Sequence, residues 1–247
     1  MCGRFTQERS TSEFAEIFGA EDRVEAPGGR FNVAPTDDAA VVVQRDDHRA
    51  ITAYRWGLIP HWSETASTGN RMFNARSETI DRNAAFRYAF GKRRCLVPVD
   101  AFYEWLRDGN VRNPFAIARP DGKPLALAGL WAGWKDPDTG EVIRSFTILT
   151  TSPNDAMRPI HNRMPVVVPE SAWDRWLDPT LTKPSELAEL KGLLVPAPDD
   201  ALEIYRVSRR VNNVRNDGPD LVVPLGDVVE EDAVRPKPNR IRATAPR

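Results

Sequence analysis

Residues 95–134 read CLVPVDAFYEWLRDGNVRNPFAIARPDGKPLALAGLWAGW. Three apolar runs stand out, at 95–99, 114–119 and 125–134. Each is short and rich in branched or aromatic residues, which suits a pleated strand. Arg107-Asp108-Gly109-Asn110 and Pro120-Asp121-Gly122 separate them with residues that accept tight-turn backbone angles, so both read as hairpin turns. Strands joined by short turns imply antiparallel neighbours.

The same pattern extends outward. Strand candidates fall at 39–44, 51–56, 145–151, 164–168 and 202–207. Helices are expected over 82–90, 169–177 and 185–194, the second with Ala172, Trp173 and Trp176 on one face. A first helix opens at Ser10, where Ser10 and Glu13 fit a capping box; Phe14, Ile17 and Phe18 form its apolar face and Gly19 ends it. Helices grouped rather than alternating with strands point to an α+β fold with a largely antiparallel sheet. Residues 1–225 are expected to form one domain, and 226–247 a disordered basic tail, since 235–247 carry five basic residues and no acid. Such a charge run is more often a solvated end than a weak nucleic-acid contact.

Composition narrows the function less. The chain has 247 residues and a formal net charge of −1, so bulk charge does not select a polyanionic partner. Of 34 basic residues, 28 are arginine, which reads either as coding bias or as a preference for forked contacts with phosphate. Two cysteines, Cys2 and Cys95, and three histidines, with no CxxC or paired-histidine spacing, argue against a disulfide scaffold, a metal site or a metal cofactor. No run approaches the ~20 apolar residues of a membrane span, and the N-terminus lacks a secretory pattern. A reducing cytoplasmic setting is expected, nucleoid-associated in a bacterial source, with Cys95 an ordinary core residue.

Cys2 follows the initiator methionine. Removal of Met1 would leave one residue carrying both an α-amine and a thiol. An α-amine has a pKa near ~7.8, against ~10.4 for lysine, so about a tenth of it is neutral at pH 7. Such an aminothiol attacks an aldehyde to give an imine, and the thiol then closes a five-membered thiazolidine. Four further segments carry candidate chemistry: WGLIPHW (56–62), FNARSE (73–78), FYEW (102–105) and IHNRMP (160–165). In FYEW a carboxylate lies among three aromatics, a setting that raises its pKa and suits proton transfer. Taken singly, each is equally consistent with ordinary core or surface positions.

In order, CGRF (2–5), FNVAP (31–35), WGLIPHW, FNARSET (73–79), FYEW, IHNRMPVVV (160–168) and VSRRVNNVRNDGPDLVVPL (207–225) closely resemble the SOS-response-associated peptidase (SRAP) family. The resemblance implies a strongly curved, barrel-like antiparallel sheet with flanking helices. It implies an abasic site processing protein that cross-links to abasic sites in single-stranded DNA through a Cys2 thiazolidine, without a cofactor. It also implies the roles. Asn74 would orient the Cys2 amine or the sugar, Glu104 would serve as acid/base in ring opening and imine chemistry, and His161 would be a second proton donor or acceptor. Arg4, Arg76 and Arg163 would contact phosphates, and Pro35, Trp62 and Trp105 would lie near unstacked bases. Two alternatives stand beside this: a cysteine-type (auto)peptidase using Cys2, His161 and Glu104, and a non-catalytic reader of modified bases.

Overall fold

The computed structural model describes residues 2–226; Met1 and 227–247, which is all but the first residue of the expected 226–247 tail, lie outside the described residues. In chain order the strands are β1 (Phe5–Gln7), β2 (Ala20–Asp22), β3 (Arg30–Val33), β4 (Asp38–Arg45), β5 (His48–Trp56) and β6 (Asn74–Arg76). They continue with β7 (Arg94–Val99), β8 (Ala101–Asp108), β9 (Val111–Ala118), β10 (Leu125–Lys135), β11 (Val142–Thr151), β12 (Met164–Pro165) and β13 (Glu203–Arg206). The helices are α1 (Thr11–Phe18), α2 (Arg87–Lys92), α3 (Trp173–Leu177) and α4 (Pro184–Gly192).

Two sheets result. The first is antiparallel throughout, in the order β13-β9-β8-β1-β3. The second runs β12-β11-β10-β7-β4-β5-β2, with β6 alongside β11. It closes on itself one strand in from each end: β5 and β11 pair in parallel at Arg55↔Ser145 and Trp56↔Phe146. That contact closes β11-β10-β7-β4-β5 into a five-stranded barrel, which gives the curved α+β architecture. Alternation along the barrel strands separates two apolar clusters. Val41, Val43, Cys95, Val97, Leu127, Phe146 and Ile148 share one with Cys2. Val42, Leu96, Ala126, Ala128 and Leu149 share the other with residues of all four helices, among them Phe14, Phe90, Trp176 and Leu190. Both faces are buried, so the barrel strands read as continuous apolar runs.

Short-range signals in the sequence match the structure. Asp108 pairs with Val111 across a two-residue turn in which Gly109 takes φ 55°. At α1, Ser10 Oγ accepts from Glu13 N–H at 3.2 Å and Glu13 accepts from Ser10 N–H at 2.8 Å, while Gly19 caps the other end at φ 57°. The differences are instructive. Pro120-Asp121-Gly122 makes a turn but no hairpin: β9 belongs to the first sheet and β10 to the second, with Ala118 opposite Ala101 and Leu125 opposite Val99. Ile17 is 37% exposed, because the buried arc of α1 runs through Thr11, Phe14, Ala15 and Phe18 and leaves Ile17 at its edge. The 82–90 helix begins only at Arg87, since Asn83 turns its side chain onto Ala85 N–H. The 164–168 strand pairs regularly only at Met164–Pro165, with Val167 adding an isolated bridge to Leu127. β8, whose residues 101–108 were not among the strand candidates, is the centre of the first sheet.

No helix among the described residues is long and apolar enough to cross a membrane.

Candidate active site and its surroundings

Cys2 enters just ahead of β1 and is 0% exposed, in the cluster that contains Phe5, Trp56, Phe102, Ile148 and Met157. Its Sγ lies 3.9 Å from the carbonyl oxygen of Arg4. Burial pushes the thiol pKa up, and the charge of Glu104 pushes the same way.

Asn74 opens β6, level with Ile148 of β11. The carbonyl before it, Phe73 O, accepts from Trp56 Nε1 at 2.8 Å and from Ile148 N–H at 3.0 Å, so the strand start is pinned on both sides. From there Asn74 Nδ2 donates to the Cys2 carbonyl at 2.6 Å. Its Oδ1 is buried without a hydrogen-bond partner among the described residues.

Glu104 sits mid-way along β8, opposite Phe115. Strand alternation turns Phe102 and Glu104 to the Cys2 side and Tyr103 and Trp105 to the other. Phe102 accordingly joins the Cys2 cluster, whereas Tyr103 and Trp105 pack with Val211 and Leu221. Of the three aromatics in the motif, only Phe102 shares the face of the carboxylate. Glu104 is nonetheless buried, and that burial raises its carboxyl pKa above the usual range.

His161 lies between β11 and β12, its N–H donating to Met157 O at 3.0 Å. Its ring Nδ1 accepts from the Arg163 backbone N–H at 3.0 Å. Burial lowers its pKa, and the guanidiniums of Arg107 and Arg163 act in the same direction. The Arg163 side chain reaches back to form a forked ion pair with Glu78 and to donate to Thr150 O. It thus fastens the His161 loop to β11 and to the segment that follows Asn74. Arg76, two residues after Asn74, is exposed and has no ion pair among the described residues.

A second group lies across β8. Arg4 donates to Asn32 Oδ1 and to Val211 O, both at 2.8 Å, and its guanidinium stands 5.8 Å from the Trp105 ring. Burial lowers the Arg4 pKa, though a guanidinium stays charged regardless. Trp105 Nε1 donates to Asn212 Oδ1 at 2.6 Å, and Asn32 Nδ2 donates to the carbonyls of Asn213 and Asn216. Arg4, Asn32 and Trp105 together hold the 207–216 segment against the sheet.

Pro35 is half-buried in the β3–β4 turn, and Trp62 is 54% exposed on the loop after β5. No hydrogen bond, ion pair or ring contact among the described residues joins either of them to the Cys2 group. That loop is shaped by a backbone crossing: Gly57, at φ 130°, passes so close to Gly69 that a Cβ on it would lie 2.5 Å from Gly69 O. Sequence reasoning gave no role to Asn32, Glu78 or Thr150, although the first two lie inside FNVAP and FNARSET. Their part depends on tertiary placement that no spacing encodes. A cleft of about 560 Å³ beside Trp173, Val195 and Pro196 holds none of the site residues. Among the described residues no group of three or more His, Cys, Asp or Glu could hold a metal ion.

Residues 1–214 match the sequence model of the family described as SOS response associated peptidase (SRAP). The chain is 36% identical over 227 residues to the abasic site processing protein YoqW of Bacillus subtilis, covering 90% of this chain and 99% of that protein. It is 28% identical to the abasic site processing protein YedK of Escherichia coli, covering 91% and 100%. A solved Bordetella bronchiseptica protein superimposes with a TM-score of 0.70 at 28% identity, covering 84% of this chain and all of that one. One from Bacteroides thetaiotaomicron gives 0.81 at 24% identity, covering 91% and 100%, a likeness of fold alone.

Proposed function

The chain belongs to the SOS response associated peptidase (SRAP) family, and from that premise we propose that it captures abasic sites in single-stranded DNA through Cys2. Similar proteins are named abasic site processing proteins. The observation that carries the reading is the convergence of Asn74 and Glu104 on Cys2: an amide on its carbonyl at 2.6 Å, and a buried carboxyl close enough to shift its thiol.

Removal of Met1 exposes the Cys2 amine. The abasic sugar opens from its cyclic hemiacetal to the aldehyde, with Glu104 moving the proton between ring oxygen and hydroxyl. The amine adds to the aldehyde carbon and water leaves, giving an imine. The thiol then adds to the imine carbon, forming the C–S bond, while its proton passes to the nitrogen. A carboxyl with a raised pKa suits these transfers, because it keeps its proton to higher pH than an ordinary glutamate and can return it to the sugar or the imine. His161, neutral and tethered through Nδ1, serves as the second proton-handling group. Arg76, exposed and without an ion pair among the described residues, meets phosphates as it stands, and Arg4 and Arg163 would do so by exchanging their contacts to Val211 and Glu78; Pro35, Trp62 and Trp105 contribute surfaces for unstacked bases. The adduct occupies the aldehyde and so prevents strand cleavage by elimination at the neighbouring phosphate. The protein would act on DNA in the cytoplasm or at the nucleoid.

Peptidase chemistry, which the family name suggests, needs a thiolate. That reading has no need of a free α-amine, so acetylating the Cys2 amine would spare peptide turnover while ending abasic-site capture. A denaturing gel tests the proposal: protein lacking Met1 is incubated with single strands carrying one abasic site or none. A heat-stable shifted band with the abasic strand alone is expected; no band, with Met1 verified absent, contradicts it.

A further inference from the structure

Register gathers a second set of side chains at one rim of the barrel. β4, β7 and β10 bring Asp38, Val99 and Leu125 toward β1 and β8, and leave Arg45, Arg93 and Trp131 at the opposite rim. There, cations and rings alternate. The Arg45 guanidinium lies 5.8 Å from the Trp131 ring, and that of Arg93 lies 5.1 Å from the same ring and 5.3 Å from Tyr88. The Tyr88 and His61 rings are 6.0 Å apart, and Trp62 follows His61.

Arg93 is the informative member. A guanidinium held beside aromatic rings satisfies none of its N–H donors there, so they remain able to fork onto an anion. The Arg93 guanidinium makes no hydrogen bond or ion pair among the described residues, although two rings fix its position. Arg87 and Lys92 of α2 add exposed cations, likewise without ion pairs among the described residues. Residues 82–99 contain no acid at all. Tyr88, 52% exposed, offers a ring beside these charges.

We propose that this array is a second nucleic-acid contact, which takes the phosphates and bases of single-stranded DNA flanking the lesion. The choice of DNA as partner rests on the proposed function; the site itself rests on the array. Ordered in-plane donors suit phosphodiester oxygens, and an exposed ring suits a base without demanding a sequence. An acidic protein segment would use the cations but has no need of the interleaved rings. The array also reconciles DNA binding with a net charge of −1, since the positive charge is local.

The test measures binding of intact, lesion-free single strands of about 8 and about 30 nucleotides, lengths chosen to lie within and beyond one compact binding site. The parent is compared with the Arg93→Gln/Tyr88→Ala pair and with Lys92→Gln, a surface change that spares the stacked rings. The expected result is about a tenfold loss of affinity of the double variant for the long strand, with the short strand bound as by the parent. The salt dependence should fall by roughly one unit of slope for each phosphate that a variant no longer neutralises, the one facing Lys92 included. Long-strand affinity and salt slope equal to the parent's in both variants would overturn the proposal, and would be the outcome if the surface serves an acidic protein. Because intact DNA is used, failure of abasic cross-linking in the parent is a separate result that bears only on the proposed function.

Discussion

Asn74 donates its side-chain amide to the carbonyl oxygen of Cys2 at 2.6 Å, across 72 positions of sequence. The bond fixes the backbone of Cys2, whose side chain is buried in the cluster with Phe5, Trp56 and Phe102. Loss of an anchor at a reacting group costs rate out of proportion to stability, because effective concentration depends on sub-ångström placement. Asn74→Ala is expected to slow adduct formation by about tenfold or more while lowering stability by only about 1 kcal/mol. Single-turnover gel kinetics beside a thermal melt checks this; a loss of stability without a loss of rate would assign Asn74 to the scaffold.

Glu104 carries a pH signature. Its pKa is raised by burial, so the folded state holds the proton that the unfolded chain has already lost. Its contribution to stability is therefore present below the ordinary glutamate pKa of ~4.3 and fades as pH rises through the folded value. Glu104→Gln should melt with the parent in acid and above it at alkaline pH, while cross-linking slowly throughout. A melting difference that ignores pH would contradict the burial argument.

His161 has a favoured tautomer. Nδ1 accepting from Arg163 N–H at 3.0 Å favours the neutral ring with its proton on Nε2 over the one in which Nδ1 donates to Arg163 O at 3.3 Å. Nitrogen-15 chemical shifts near neutral pH should show an unprotonated Nδ1 and a protonated Nε2, and the reverse assignment would refute the tether. The lowered pKa makes the His161 contribution to stability complete above the ordinary histidine value of ~6.5 and lost as pH falls through the folded one.

The crossing of Gly57 and Gly69 fixes the loop that bears Trp62. At φ 130°, with a Cβ aimed at a carbonyl 2.5 Å away, Gly57→Ala combines backbone strain with a clash that neither backbone can relieve. A loss of about 2–4 kcal/mol is expected in denaturant melts. A variant as stable as the parent would mean that the crossing opens without cost.

What the sequence made legible was whatever its own neighbourhood determines. The Ser10–Glu13 cap and the Gly109 turn follow from residues within a few positions of each other. Barrel closure does not, since Trp56 and Phe146 meet only after β4, β7 and β10 have been laid between them. The same division runs through the site. Cys2, Asn74 and Glu104 could be singled out from their motifs, but that Glu104 faces away from Tyr103 and Trp105 follows only once 101–108 is a strand, which the sequence reading did not include. That Arg4 would be spent on Asn32 and Val211, and Arg163 on Glu78, depends on tertiary neighbours that no motif names.

The most direct test of covalent capture by Cys2 is mass spectrometry of the N-terminal peptide recovered from a cross-linked, nuclease-treated sample. The account predicts a peptide that begins at Cys2, carries the sugar remnant less one water, and resists both thiol alkylation and amine acetylation. An adduct on any other residue, or one that leaves the Cys2 thiol free to alkylate, would contradict it.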